Sequence, residues 1–131
     1  MKCACSQFPL LINLSNHPYS CWGEQQRKAA QIYGECIDLP FPNINPFWNE
    51  EDIEKLSEQY LNKILEMREK RMVTVHVMGE LTFCYSMIRK LLVNHIDCIA
   101  SCAERDVEYV DDNHVKQVVF NFMRFRKYAE I

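Results

Sequence analysis

The chain has 131 residues, with fifteen basic and eighteen acidic side chains and a formal charge of -3, which is room for one domain spanning 1–131. With 48% apolar and 25% charged residues, and only three glycines and five prolines, it is not disordered, collagenous or of low complexity. The charge argues against binding DNA or an anionic membrane through a broad positive field, and leaves room for a small anionic ligand held by a few placed groups.

Phe8 to Leu14 is a short apolar run closed by Ser15-Asn16-His17-Pro18, which predicts a buried, central strand. Gly23 then serves as N-cap of a helix, with Gln26 at the third helical position able to reach back in a capping box, and the helix runs to about Tyr33 and stops at Gly34. Cys36 to Leu39 is a brief strand ended by Pro40 and Pro42, and the loop Phe41 to Trp48 is rigid and aromatic. Asn49 with Glu50, Glu51 and Asp52 starts a second helix, along which Ile53, Leu56, Tyr60, Ile64 and Met67 recur at helical spacing.

Met72 to Met78 reads as the third strand, with Val73, Val75 and Val77 on one face, and breaks at Gly79. A third helix from about Glu80 to Val93 has Leu81, Cys84, Tyr85, Ile88, Leu91 and Leu92 as its expected buried stripe. Ile96 to Ser101 is a short fourth strand, and Asp106 to Val110, the turn Asp111-Asp112-Asn113 and Val115 to Phe125 form a terminal hairpin. Strands alternating with helices imply a Rossmann-like α/β fold: a mostly parallel sheet flanked by helices, extended by a C-terminal antiparallel hairpin.

The seven cysteines are odd in number and no secretory signal precedes them, so a reducing, cytoplasmic setting is expected. No run approaches the roughly 20 apolar residues of a membrane span. The spacings Cys3-x-Cys5 and Cys98-x-x-x-Cys102 lack the paired CxxC pattern of zinc sites, so no metal is expected and the thiols read as small apolar fillers.

In an open α/β sheet, ligands sit beyond the carboxyl ends of the strands at a topological switch point. Three segments qualify. After the first strand, Asn13, Ser15, Asn16 and His17 offer amides, a hydroxyl and an imidazole just before a helix N-terminus, suited to a phosphate or ribose; equally, Ser15 and Asn16 shape a turn before Pro18. After the third strand, Gly79 permits close backbone approach, Glu80 either contacts a ligand or caps the helix, and Thr82 either hydrogen-bonds a base or sugar or packs; His76 reads as a buried, paired core histidine. After the fourth, Ser101 is followed by Arg105, which either clamps a phosphate or pairs with Glu80 or Glu104. Neither a dinucleotide fingerprint nor a P-loop is present, so no cofactor is expected. Phe120 to Arg126 alternates apolar and polar residues, as an edge or dimer strand does.

Taken together, Asn13-Leu14-Ser15-Asn16-His17-Pro18 with Gln25 and Gln26, Leu39 to Pro46, Val77 to Phe83 and Ile99 to Arg105 resemble the small stand-alone CRISPR-associated ring nucleases, whose core is similar to the CARF (CRISPR-associated Rossmann-like) domain. The chain departs from the family's small-Thr-Thr-x-Arg pattern at Cys102 and Ala103. The resemblance implies a homodimer that binds a cyclic oligoadenylate, cyclic tetra-adenylate foremost, and opens it without a metal. An adenosine 2′-hydroxyl would attack the adjacent phosphorus and leave a 2′,3′-cyclic phosphate. It implies Ser15 and Asn16 for ribose and phosphate positioning, His17 for proton transfer or electrostatic stabilisation, and Arg105 for phosphate charge. Asn13, Gln26, Gly79, Glu80, Thr82 and Ser101 are the ligand contacts it implies. Two alternatives stand beside it: a sensor that binds the same ring without cleaving it, and a Rossmann-like enzyme acting on a nucleoside or nucleotide.

Overall fold

The computed structural model describes residues 8–109 and 116–130; Cys3, Cys5 and the expected turn Asp111-Asp112-Asn113 lie outside them. Leu10–Ser15 (β1) is buried at every position because it runs inside the sheet, between Glu35–Asp38 (β2) and Val73–Met78 (β3). Asp97–Tyr109 (β4) lies parallel to β3, and Lys116–Lys127 (β5) pairs antiparallel with β4. The five-stranded order is β2-β1-β3-β4-β5, the expected mostly parallel α/β sheet with a terminal hairpin.

Glu24–Ala30 (α1) and the 3-10 turn Gln31–Tyr33 link β1 to β2, Glu50–Arg68 (α2) links β2 to β3, and Leu81–Val93 (α3) links β3 to β4. The first connection steps outward in one direction along the sheet and the next two step the other way. Right-handed crossovers therefore put α1 on one face and α2 with α3 on the other. The two cores record this division. Leu10, Ile12 and Leu14 join Val73, Val75 and Val77 under Ile53, Ile64, Phe83 and Met87. Leu11 instead meets Trp22, Ala30, Ile99 and Phe125. The reversal between β1 and β3 is the switch point.

Local chemistry fixes the helix ends. Asn49 caps α2 in a reciprocal box, accepting from the Asp52 N–H and donating its own N–H to Asp52 Oδ2, both at 3.0 Å. Gly34, at φ 103°, turns the chain into β2 where any side chain would overlap the Pro9 carbonyl.

Three expectations need correction. Gln26 does not reach back to Gly23; no side chain caps α1, and Gln26 is buried against the sheet. The stripe assigned to α3 is rotated: Leu81 and Tyr85 are 82% and 65% exposed, while Phe83, Ser86 and Met87 are buried with Cys84 and Leu91. The fourth strand does not end at Ser101, since β4 continues to Tyr109 with a register shift between Cys102 and Ala103. From Ala100 onward its ladder partners lie on β5 alone.

Candidate functional site

Side chains alternate along a strand, so Asn13 and Ser15 of β1, His76 of β3 and Ser101 of β4 all point to the α1 face. In register, Asn13 faces Asp38 on one side and His76 on the other. Topology alone therefore sets Asp38, Asn13 and His76 in a row across three strands, and Ser101 extends it on the fourth.

The hydrogens in this row can be assigned from chemistry. Asn13 Nδ2 donates to Asp38 Oδ1 at 2.8 Å and to the His17 carbonyl at 2.9 Å; both are pure acceptors, which fixes the amide orientation. Asn13 Oδ1 therefore accepts, from Ser15 Oγ at 2.8 Å and from His76 Nδ1 at 2.9 Å. A neutral His76 that donates through Nδ1 has only a lone pair at Nε2, so Ser101 Oγ donates to it at 2.7 Å. Ser101 Oγ in turn accepts from Gln26 Nε2 at 2.9 Å. The relay Gln26, Ser101, His76, Asn13, Asp38 is thus a single directed chain of hydrogen bonds ending on a carboxylate.

His76 is only 2% exposed, with the rings of Trp22 and Phe125 edge-on to it at 5.3 and 5.6 Å. Burial first, and the nearby His17 second, push its pKa down to about 4, so it is neutral at physiological pH. It is the buried, paired core histidine that the strand pattern predicts.

The loop after β1 is held by its backbone. The His17 carbonyl accepts from Trp22 Nε1 at 2.9 Å as well as from Asn13, and the His17 N–H donates to Ser15 Oγ at 3.2 Å. Asp38 also accepts from the Tyr19 N–H at 3.1 Å. These bonds leave the side chains of Asn16 and His17 exposed at the switch point. A cleft of about 290 Å³ lined by Asn13, Ser15, Asn16, Pro18, Asp38, Pro40 and Phe41 opens beside them.

The other expected ligand contacts are placed differently. Phe41 lies over Gly79, where a Cβ would overlap its ring, and meets Phe83 edge-on at 5.2 Å; the absent side chain admits this ring. Glu80 caps α3, accepting from the Phe83 N–H at 2.8 Å and from Thr82 Oγ1 at 2.7 Å, and these bonds hold its carboxyl below the usual range. Of the two readings for Glu80, the structure shows helix capping, and exposed Thr82 hydrogen-bonds the capping carboxylate. Arg105 is an exposed residue of the hairpin opposite Phe120, four positions beyond Ser101 and about 13 Å further at the rise of an extended strand. The structure thus places Arg105 on the hairpin and apart from the row of Asn13, His76 and Ser101.

The chain matches a family over residues 9–126, from just before β1 to the end of β5. It belongs to the uncharacterized protein MJ1673 family. The family span contains the whole relay and the loop of Asn16 and His17. No curated protein and no solved structure matches the chain.

Among the described residues, no three His, Cys, Asp or Glu side chains are grouped to hold a metal ion, and no helix is long and apolar enough to cross a membrane. Cys84 and Cys98 are buried fillers, with burial chiefly raising each thiol to about 12; Cys36 is raised likewise, by burial and then by Asp38. Such thiols are inert as nucleophiles at neutral pH. A second groove of about 420 Å³ lies between the starts of α2 and α3, lined by Trp48, Ile53, Leu81 and Tyr85 among others. Thr82 is its one sequence-predicted site residue.

Sequence reasoning missed Asp38 as a member of the site. An acid at a strand end is unremarkable in a linear reading, and only its parallel pairing with β1 brings it to Asn13.

Proposed function

We propose that this chain is a ring nuclease that binds a cyclic oligoadenylate, cyclic tetra-adenylate foremost, and opens it by attack of an adenosine 2′-hydroxyl on the adjacent phosphorus. The observation that carries this reading is the braced loop at the switch point: an exposed amide and an exposed imidazole, Asn16 and His17, on a backbone pinned by Asn13, Ser15 and Trp22. The resemblance of the same segments to CRISPR-associated ring nucleases points the same way. In-line displacement within a ring asks for oriented ribose and phosphate and for stabilised charge, and preorganised groups supply both.

In this mechanism Asn16 hydrogen-bonds the ribose or a phosphate oxygen. His17 stands at the phosphate and gives a proton to the departing 5′-oxygen. Ser15 and Asn13 act by holding the loop, since Asn13 spends both donors and its acceptor oxygen inside the protein. No metal or cofactor enters the step.

A cleft of about 290 Å³ is at the small end of the roughly 300–1,000 Å³ of sites that enclose a drug-sized ligand, and a ring of four nucleotides is larger than such a ligand. Two copies about a twofold axis would surround it. The edge strand β5 and its neighbour carry exposed Val107, Val118 and Phe120, an apolar strip that supports self-association. The biological setting proposed is removal of the second messenger of a type III CRISPR response.

The test is to incubate the purified protein with cyclic tri-, tetra- and hexa-adenylate in EDTA and to follow both melting temperature and products. Stabilisation by a ring together with linear product supports the reading. Stabilisation with the ring intact after many hours replaces it with a sensor, and stabilisation by adenosine monophosphate alone replaces it with a nucleotide enzyme.

A further inference from the structure

The relay across the sheet holds a hydroxyl in a defined state. Ser101 Oγ has a single proton, and that proton is committed to His76 Nε2 at 2.7 Å. One oxygen lone pair accepts from Gln26, and the other is left for a proton arriving from outside. His76 is locked in the tautomer that leaves Nε2 basic, because its Nδ1–H donates to an Asn13 oxygen whose amide is oriented by the Asp38 carboxylate. Ser101 is partly exposed while His76 is buried behind it, so the serine hydroxyl is the member of the pair open to a ligand. Ser101 is also at the level of the end of β3, its N–H directed at the Met78 sulfur at 3.2 Å.

We infer that Ser101 and His76 form a proton relay that serves as the general base for the reaction proposed above, with Ser101 as the catalytic residue touching the ribose and His76 as the positioning residue behind it. The inference rests on the ring-nuclease reading and adds a residue pair to it. In the step, the 2′-oxygen forms a bond to phosphorus and the bond from phosphorus to the 5′-oxygen breaks. The 2′-hydroxyl proton passes to Ser101 Oγ as the proton of Ser101 passes to His76 Nε2. The 5′-oxygen takes its proton from His17. Afterwards His76 returns its proton through Ser101 to water, and His17 regains one from water.

Burial first, and His17 on the loop after β1 second, disfavour protonation of His76 in the resting protein, so the relay holds its proton only transiently; Asp38 reaches the imidazole through Asn13, and Trp22 and Phe125 flank it without charge. A bound phosphodiester brings negative charge beside Ser101 and so favours the imidazolium at the moment the proton arrives.

Cleavage of cyclic tetra-adenylate by the wild type, Ser101→Ala, Ser101→Thr and His76→Gln tests the relay, with folding checked by circular dichroism. Loss of a general base costs about 10²–10⁴-fold. Ser101→Ala is expected to lose this much in kcat with KM within about twofold of the wild type, a split that mere loss of packing does not give. Ser101→Thr, which keeps the hydroxyl, is expected to recover to within about tenfold. His76→Gln should match Ser101→Ala; should it fail to fold, the two serine variants decide alone. Wild-type kcat in Ser101→Ala, or a loss confined to KM, overturns the relay while leaving the ring-nuclease reading intact. A wild type that cleaves no ring overturns both.

Discussion

His76 makes the stability of the fold depend on pH between about pH 4 and 6.5. Its folded-state pKa is about 4 against about 6.5 for an unfolded histidine. Between those values the unfolded chain takes up a proton that the folded protein refuses. The contribution is therefore complete above about pH 6.5, falls as the pH drops, and stops changing below about pH 4. Linkage gives a loss of about 2 kcal/mol between pH 7 and 4.5, rising to about 3 kcal/mol at pH 4. Because the ring is only 2% exposed, solvent screening takes little from this figure. Glu54 and Glu80, whose pKa values are lowered by hydrogen bonds from Lys90 and from the Phe83 N–H respectively, lose their contributions lower in the pH range, so the upper part of the window belongs mainly to His76. Urea unfolding of the wild type and of His76→Gln at about pH 7, 6, 5 and 4.5 reads the effect as a shift in midpoint at constant slope. The wild type should lose stability steadily and the variant should be nearly flat, whatever its starting value. Parallel losses in the two proteins would refute the assignment of the burial cost to this imidazole.

Gly79→Ala should destabilise the fold by about 1–3 kcal/mol through overpacking, because its Cβ enters the Phe41 ring; pairing it with Phe41→Ala should give a less than additive loss in urea unfolding. His17→Ala is expected to lower ring cleavage by about 10²–10⁴-fold while the melting shift caused by cyclic tetra-adenylate persists, and equal losses of both would remove His17 from the chemical step. Phe120→Asp, on the exposed strip of the edge strand, should shift sedimentation from dimer toward monomer, with an unchanged dimer placing the interface elsewhere.

The parallel core of the fold is written in simple patterns. Leu10 to Leu14 and the alternating Val73, Val75 and Val77 read as strands because both faces of an interior strand are covered, and Asn49 with Asp52 announces the start of α2. The extension of β4 was not legible because Cys102, Ala103, Glu104 and Arg105 have no buried face to alternate against. Beyond the edge of β3 their ladder is with β5 alone, across a bulge. In α3 the run Leu81, Phe83, Cys84, Tyr85, Met87, Ile88 is apolar around much of the helix, so spacing alone did not fix which face turns inward. Phe83, ringed by Phe41 and Tyr60, fixes it.

The site shows the same division. Asn13, Ser15 and His17 were legible as polar residues at a strand end, and His76 as a polar residue inside a strand. Their roles were not, because each depends on a partner far along the chain: Asn13 on Asp38, His76 on Asn13 and Ser101, Ser101 on Gln26. Those contacts are set by which strands lie side by side, and β1 lying between β2 and β3 is a property of topology.

The central claim is a transesterification inside a nucleotide ring, and its product carries the proof. Mass spectrometry of cyclic tetra-adenylate after incubation with the wild-type protein in EDTA should find linear adenylates ending in a 2′,3′-cyclic phosphate and a free 5′-hydroxyl. An intact ring after prolonged incubation, or products bearing a 5′-phosphate, would contradict it.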